Sequence, residues 1–205
     1  MHWQTTRFAI DLSRPKVMGI VNVTPDSFSD GGRHDDALSA LRHCEQLIKE
    51  GVDILDIGGE STRPGSPTLP PDVEWQRLDG VLREAVKLGV PVSVDTCKTE
   101  VMQRALELGV DIINDVRALA AEGAAAAVLA HATCGVCLMH MQGQPATMQA
   151  APRYQDVVTE VRDFLQTKAE SLLAGGMAHD RICLDPGVGF GKTPEHNLDL
   201  LRRQA

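Results

Sequence analysis

One joint recurs along this chain and constrains its fold more than any other feature. The phrases KEGVDI (49–54), KLGVPV (87–92) and ELGVDI (107–112) each close a helix-like stretch and open a strand-like one. Glycine suits the left-handed stop of a helix, and the Val-rich residues after it favour an extended backbone. Between such joints, short apolar runs alternate with amphipathic stretches. The runs predict strands over 17–22, 52–57, 90–95, 110–115, 135–140 and 181–185. Asp35 to Glu50 and Tyr154 to Ala174 show the helical period between them. Strand and helix in strict alternation imply a parallel sheet with right-handed crossovers.

Polar residues decide between an open doubly wound sheet and a barrel. Nearly every predicted strand finishes on one: Asn22, Asp95, Asn114 with Asp115, His140 and Asp185. An open sheet gathers its site at one switch point, whereas a barrel collects residues from the C-terminal ends of many strands. The expectation is therefore a TIM-type (β/α)8 barrel, here incomplete with about six βα units. All of 1–205 reads as one domain, ending at LLRRQA before the last two units, which leaves a sheet edge open.

Composition narrows the function. A formal net charge of −8 without a Lys/Arg cluster argues against nucleic-acid partners, so an anionic ligand needs a metal or a few placed cations. The opening MHWQTTRFAIDLSRP has no signal-like apolar region, and no run of about 18 apolar residues predicts a membrane span. Five cysteines suggest a reducing cytoplasm. Cys134 and Cys137 form a C-x-x-C, but it runs into a strand and has no second pair, so structural thiols are expected. His140 lacks companions at ligand spacing and is not taken as a metal ligand.

Two connections exceed what a barrel needs: Val23 to Asp35, and Gly58 to Asp72. In the second, Ser61, Thr62 and Arg63 offer donors to an oxyanion. Asn22 puts a neutral carbonyl oxygen at a strand mouth, a reasonable partner for Mg²⁺ that keeps substrate oxygens and water as its other ligands. Asp95, Asn114 and Asp185 allow two readings: each caps the helix that follows, or they converge on a ligand. A carboxylate accepts two N–H bonds side by side, which suits the ring N–H and amine of a 2-aminopyrimidinone. DPGVGFGKT (185–193) ends like a nucleotide-binding loop, yet has Pro186 where such a loop needs its first Gly. Proline has no N–H to offer a phosphate.

Five stretches in order complete the pattern: MGIVNVTPDSFSDGG (18–32), DIGGESTRPG (56–65), VSVDT (92–96), IINDV (112–116) and DPGVGFGKT (185–193). Together they resemble dihydropteroate synthase, the folate-pathway enzyme that sulfonamides inhibit, over essentially the whole chain. The resemblance implies a pterin-binding barrel that condenses dihydropterin-methyl diphosphate with p-aminobenzoate. It implies Mg²⁺ on Asn22 and the diphosphate on Arg63, which acts electrostatically and not as a nucleophile. Asp95, Asn114 and Asp185 would bond the pterin, and Met139 would pack in its pocket. Thr62 and Phe190 would shape the p-aminobenzoate side, with loop 23–35 closing over it. A cytoplasmic homodimer is the implied state.

The family also carries a Lys in a Ser-Arg-Lys stretch and an Arg-x-His motif on its last two strands, and neither is present. The 205 residues are accordingly expected to turn over poorly by themselves. Three rival readings remain: a non-catalytic pterin-binding module, a corrinoid-dependent pterin methyltransferase, and a nucleotide hydrolase built around Lys192.

Overall fold

The computed structural model describes residues 1–24, 33–61, 68–143 and 147–203. Two short strands, β1 (His2–Gln4) and β2 (Ala9–Asp11), pair antiparallel at the N-terminus. Six parallel strands follow: β3 (Met18–Asn22), β4 (Ile54–Gly58), β5 (Val92–Asp95), β6 (Ile112–Asp115), β7 (Gly135–Met139) and β8 (Ile182–Asp185). Among the described residues the helices are α1 (Arg33–Lys49), α2 (Pro71–Ala85), α3 (Thr99–Glu107), α4 (Ala124–Ala130), α5 (Val157–Ala174) and α6 (Pro194–Arg202). The parallel strands lie side by side in chain order, from β3 to β8. A doubly wound sheet would reverse its order at a switch point, so this is the wall of a (β/α) barrel. Among the described residues, β3 and β8 are its outermost strands.

The recurring joint behaves as its residues dictate. Gly51, Gly89 and Gly109 all adopt positive φ, at 95°, 77° and 87°. Each turns the chain from a helix into the strand after it. Residues on the two faces of each strand enter different cores. Val21, Leu55, Ile57, Val92, Val94, Ile113, Val136 and Leu138 pack outward against the helices in one large apolar cluster. Met18, Ile54, Ile112, Cys137 and Cys183 face the other way, into a smaller cluster inside the barrel wall.

The N-terminal hairpin was not legible in the sequence, because three-residue strands carry no period. Trp3 and Ile10 plug the smaller core. Trp3 Nε1 donates to the Arg181 carbonyl at 3.0 Å, and Thr6 Oγ1 donates to the Val110 carbonyl at 2.8 Å. Both acceptors precede strands, so the hairpin sits over the N-terminal ends and leaves the C-terminal mouth open.

The C-x-x-C spans this division. Cys134 packs in the helix-side core, where Arg181 Nη2 donates to its Sγ, and Cys137 lies inside the wall. All five cysteines are free thiols.

Candidate functional site

Strand alternation decides what lines the mouth, since residues two apart share a face. Asn22 follows Met18 and Asp56 follows Ile54 on the inner face, as Asn114 follows Ile112. Met139 and Asp185 follow Cys137 and Cys183 in the same way. Ser93 and Asp95 lie opposite the outward Val92 and Val94. Register then joins them laterally: Asp56 stands beside Ser93, Asp95 beside Asn114, and Met139 beside Asp185. The sequence-predicted Asp95, Asn114, Met139 and Asp185 therefore share the inner face of adjacent strands. Asn22 stands exposed at the end of β3, beside Gly58.

The inner group is short of hydrogen-bond donors. Asn114 Nδ2 donates to Asp56 Oδ2 at 3.1 Å. Asp56 Oδ1, Ser93 Oγ and Asp95 Oδ1 are buried with no partner among the described residues. Burial pushes the Asp56 carboxyl above its ordinary range, against the opposing pull of the Asn114 hydrogen bond. Asp95 is driven well above the usual carboxylate range, first by burial and then by the charges of Asp56, Asp115, Glu74 and Glu60. Buried acceptors left unpaired cost free energy until a ligand supplies N–H groups.

Capping and ligand binding separate on geometry. Asp115, on the outer face, accepts from Arg117 N and Leu119 N, both at 2.8 Å. It thereby holds a turn in which Ala118 and Leu119 sit at positive φ. Asp185 Oδ1 accepts from Gly187 N at 2.7 Å and steadies its own loop. Asp95 makes no cap, and the residue before α3 is Lys98, whose side chain makes none.

The loop after β8 answers the question raised by its glycines and lysine. Lys192 is buried, and its Nζ donates to the carbonyls of His140 (3.1 Å), Gly187 (2.9 Å) and Phe190 (2.9 Å). It also lies 3.1 Å from His140 Nδ1. Burial first and then this cation push the His140 imidazole down to about 4. Gly187 is forced twice over: its φ is 66°, and a Cβ there would come within 2.0 Å of the His140 carbonyl. Thr193 then caps α6, its Oγ1 accepting from His196 N at 3.3 Å. A nucleotide loop needs its lysine free to meet phosphate. This ammonium is spent on its own loop, which removes the basis for a hydrolase built on Lys192 and fixes Phe190 at the rim.

A second, half-buried lysine organises the mouth of β4. Lys98 Nζ donates to Glu60 Oε2 at 2.5 Å and to Glu74 Oε2, and Glu60 Oε2 also accepts from Leu69 N at 2.8 Å. Arg77 Nη1 donates to the Gly59 carbonyl at 2.9 Å. Both flanks of the 58–72 connection are thus tied to α2 and the start of α3. Thr62 and Arg63 lie outside the described residues, as do 25–32 of loop 23–35. Asp56, Lys98 and the inward role of Lys192 were missed in the sequence. The signal for Asp56 was there: an acidic residue inside the otherwise apolar ILDIG.

Comparison with known proteins gives this geometry a family. The model of the family described as pterin binding enzyme matches residues 18–204. A dihydropteroate synthase of Neisseria meningitidis serogroup C is 56% identical over 98% of this chain and 71% of its own length. The Yersinia pestis dihydropteroate synthase, solved with a sulfonamide drug complex, superposes with a TM-score of 0.91 at 44% identity. That match covers 100% of this chain and 74% of the Yersinia chain. The Burkholderia cenocepacia dihydropteroate synthase, solved with 7,8-dihydropteroate, gives 0.86 at 47% identity, over 98% of this chain and 68% of that one.

Proposed function

The chain belongs to the pterin-binding enzyme family, and on that premise we propose that it is the transferase that makes 7,8-dihydropteroate. Its substrates are (7,8-dihydropterin-6-yl)methyl diphosphate and p-aminobenzoate, and its second product is pyrophosphate. The observation that carries this reading is the donor-poor inner face: Asp95, Asn114 and Asp185 beside buried carboxyl oxygens that lack partners. A 2-amino-4-oxopyrimidine edge supplies the ring N–H and exocyclic amine that these acceptors need. Met139 offers an apolar, polarisable wall for the ring face, and Phe190 stands on the side assigned to p-aminobenzoate.

The bond between the methylene carbon and the diphosphate oxygen breaks, pyrophosphate departs with the electron pair, and the aniline nitrogen attacks the carbon. The ammonium so formed then loses its proton. No covalent bond to the protein is needed. The side chains position the partners and stabilise separating charge, with Thr62 and Arg63 assigned to the diphosphate and p-aminobenzoate side. A divalent ion fits here only as a companion of the substrate. Asn22 is a single exposed neutral donor, and among the described residues no group of three His, Cys, Asp or Glu side chains is placed to hold a metal ion. Asn22 Oδ1 would hold Mg²⁺, which offsets the charge of the leaving diphosphate when bound.

We read 1–205 as one barrel unit acting in the cytoplasm, with a second copy as its expected partner. No described helix is long and apolar enough to cross a membrane. The test is thermal protection followed by pyrophosphate release. The pterin diphosphate with Mg²⁺ should raise the melting temperature, whereas ATP with Mg²⁺ should not. Asp95→Ala and Asp185→Ala should each lower pterin affinity about 10- to 100-fold, as expected when an acceptor of a buried ligand donor is lost. Protection by ATP alone overturns the reading. Pterin binding without pyrophosphate release would instead favour a binding module.

A further inference from the structure

Asp56 is the one buried carboxylate on the inner face among the described residues that the scheme above leaves without a role. It lies one register step below the mouth, opposite Ser93 on β5 and Ile20 on β3. Its relative exposure is 6%, which puts it among the buried polar residues. Its Oδ2 takes a hydrogen bond from Asn114 Nδ2 at 3.1 Å, although Asn114 lies two strands away on β6. Gly58 makes space at the next inward position of β4: a Cβ there would stand 3.6 Å from Asp95 Oδ2.

An asparagine amide is ambiguous until something fixes it. Turning it by half a revolution exchanges one acceptor for two donors at nearly the same place. Asp56 Oδ2 accepts from Asn114 Nδ2 and so holds the NH₂ end of Asn114 toward itself. Asn114 Oδ1 is thereby turned away from Asp56 and left as the acceptor end of the amide. Asp95 stands beside it in register, with Oδ1 unpartnered among the described residues. The side of the mouth that these two residues line is thus rich in acceptors.

Resting on the pterin reading, we propose that Asp56 is a positioning and specificity-determining residue. It locks the Asn114 amide so that β6 presents an acceptor beside Asp95 and selects a ring edge rich in N–H groups. A heterocycle that offers an acceptor at this edge meets no donor from Asn114, and an unlocked Asn114 would rotate to accommodate it. Selectivity for the 2-amino edge therefore depends on a residue that need not touch the ligand.

The experiment is calorimetric titration of the full chain with two probes at one pH. One is 6-hydroxymethylpterin, and the other is its analogue with hydrogen in place of the 2-amino group. Asp56→Leu should weaken the pterin about 10- to 100-fold and bring the two affinities closer together. Asp56→Asn keeps an acceptor but can turn its own amide, so it should fall between the parent and Asp56→Leu. In an Asn114→Leu background the Asp56→Leu effect should largely vanish, since Asp56 acts through Asn114. If Asp56→Leu leaves both affinities unchanged, or costs the same with Asn114 already removed, the inference fails while the pterin reading stands. If Asp56→Leu does not fold, Asp56→Asn still decides, because an unchanged preference between the two probes overturns the inference. Absence of pterin binding by the parent chain overturns both.

Discussion

Two lysines at the barrel mouth, Lys98 half-buried and Lys192 buried, do opposite things with the same charge. Lys98, after β5, meets two carboxylates, from Glu60 and from the fully buried Glu74. Lys192, after β8, meets backbone carbonyls and a neutral imidazole. Burial opposes the charge on Lys98, but the two glutamates outweigh it and raise its pKa above the ordinary value. Burial wins at Lys192, whose pKa falls to about 8 despite the pull of Asp185. Full negative charges can hold a buried cation, whereas carbonyl dipoles satisfy its N–H groups without compensating its charge. Lys98 is thus the ionic clamp that joins Glu60, after β4, to Glu74 of α2. Lys192 is the polar peg inside the loop that carries Phe190.

The largest effect should come from removing the ionic clamp. Lys98→Met leaves Glu74 buried and uncompensated, so urea unfolding should show a loss of about 3–5 kcal/mol. Adding Glu74→Leu should recover much of that loss, since the orphaned charge goes with it. A double variant no more stable than Lys98→Met would break the view of Lys98 as a partner for buried charge.

Lys192→Met should cost less, about 1–3 kcal/mol, because it leaves unpaired carbonyls and not an ion. By loosening the 187–190 turn it should raise KM for p-aminobenzoate more than for the pterin diphosphate. Equal shifts in both would show that the peg does not serve the Phe190 side.

The smallest and most diagnostic effect is the pH dependence of stability. The unfolded chain keeps the Lys192 proton up to about 10.5, whereas the folded chain releases it near 8. Between those values the unfolded state binds more protons, so this residue makes stability rise with pH. Lys98 has the reverse sign: its contribution is whole below about 10.5 and is lost as pH climbs through its raised folded value. Urea midpoints followed from pH 7 to 11 should lose the rising component in Lys192→Met and the falling component in Lys98→Met. The same slope in both variants would erase the distinction between the two sites.

Much of the candidate site was readable because strand ends announce themselves. Asp95, Asn114 and Asp185 close apolar runs, and a polar group there must find a partner or a ligand. Phe190 and Met139 were legible only through the resemblance, since a Met or Phe near a strand end is more often plain core. Lys192 misled, because GKT reads as a phosphate loop until the direction of the ammonium is known. That direction depends on the His140 carbonyl, which approaches from β7 some fifty residues earlier. Asp56 escaped because its partner Asn114 is 58 positions away.

The sequence by itself determined the alternation of strand and helix, the glycines that turn one into the other, and which strand ends are polar. Those follow from backbone sterics and from the two periods, both of which are local. Only the tertiary structure decided that the strands stand in chain order as a barrel wall and that the hairpin closes its base. Only it decided that Lys98 faces two glutamates while Lys192 faces carbonyls. Charge and hydrogen-bonding state depend on what lies within a few ångströms, and no spacing along the chain fixes which distant residues those are.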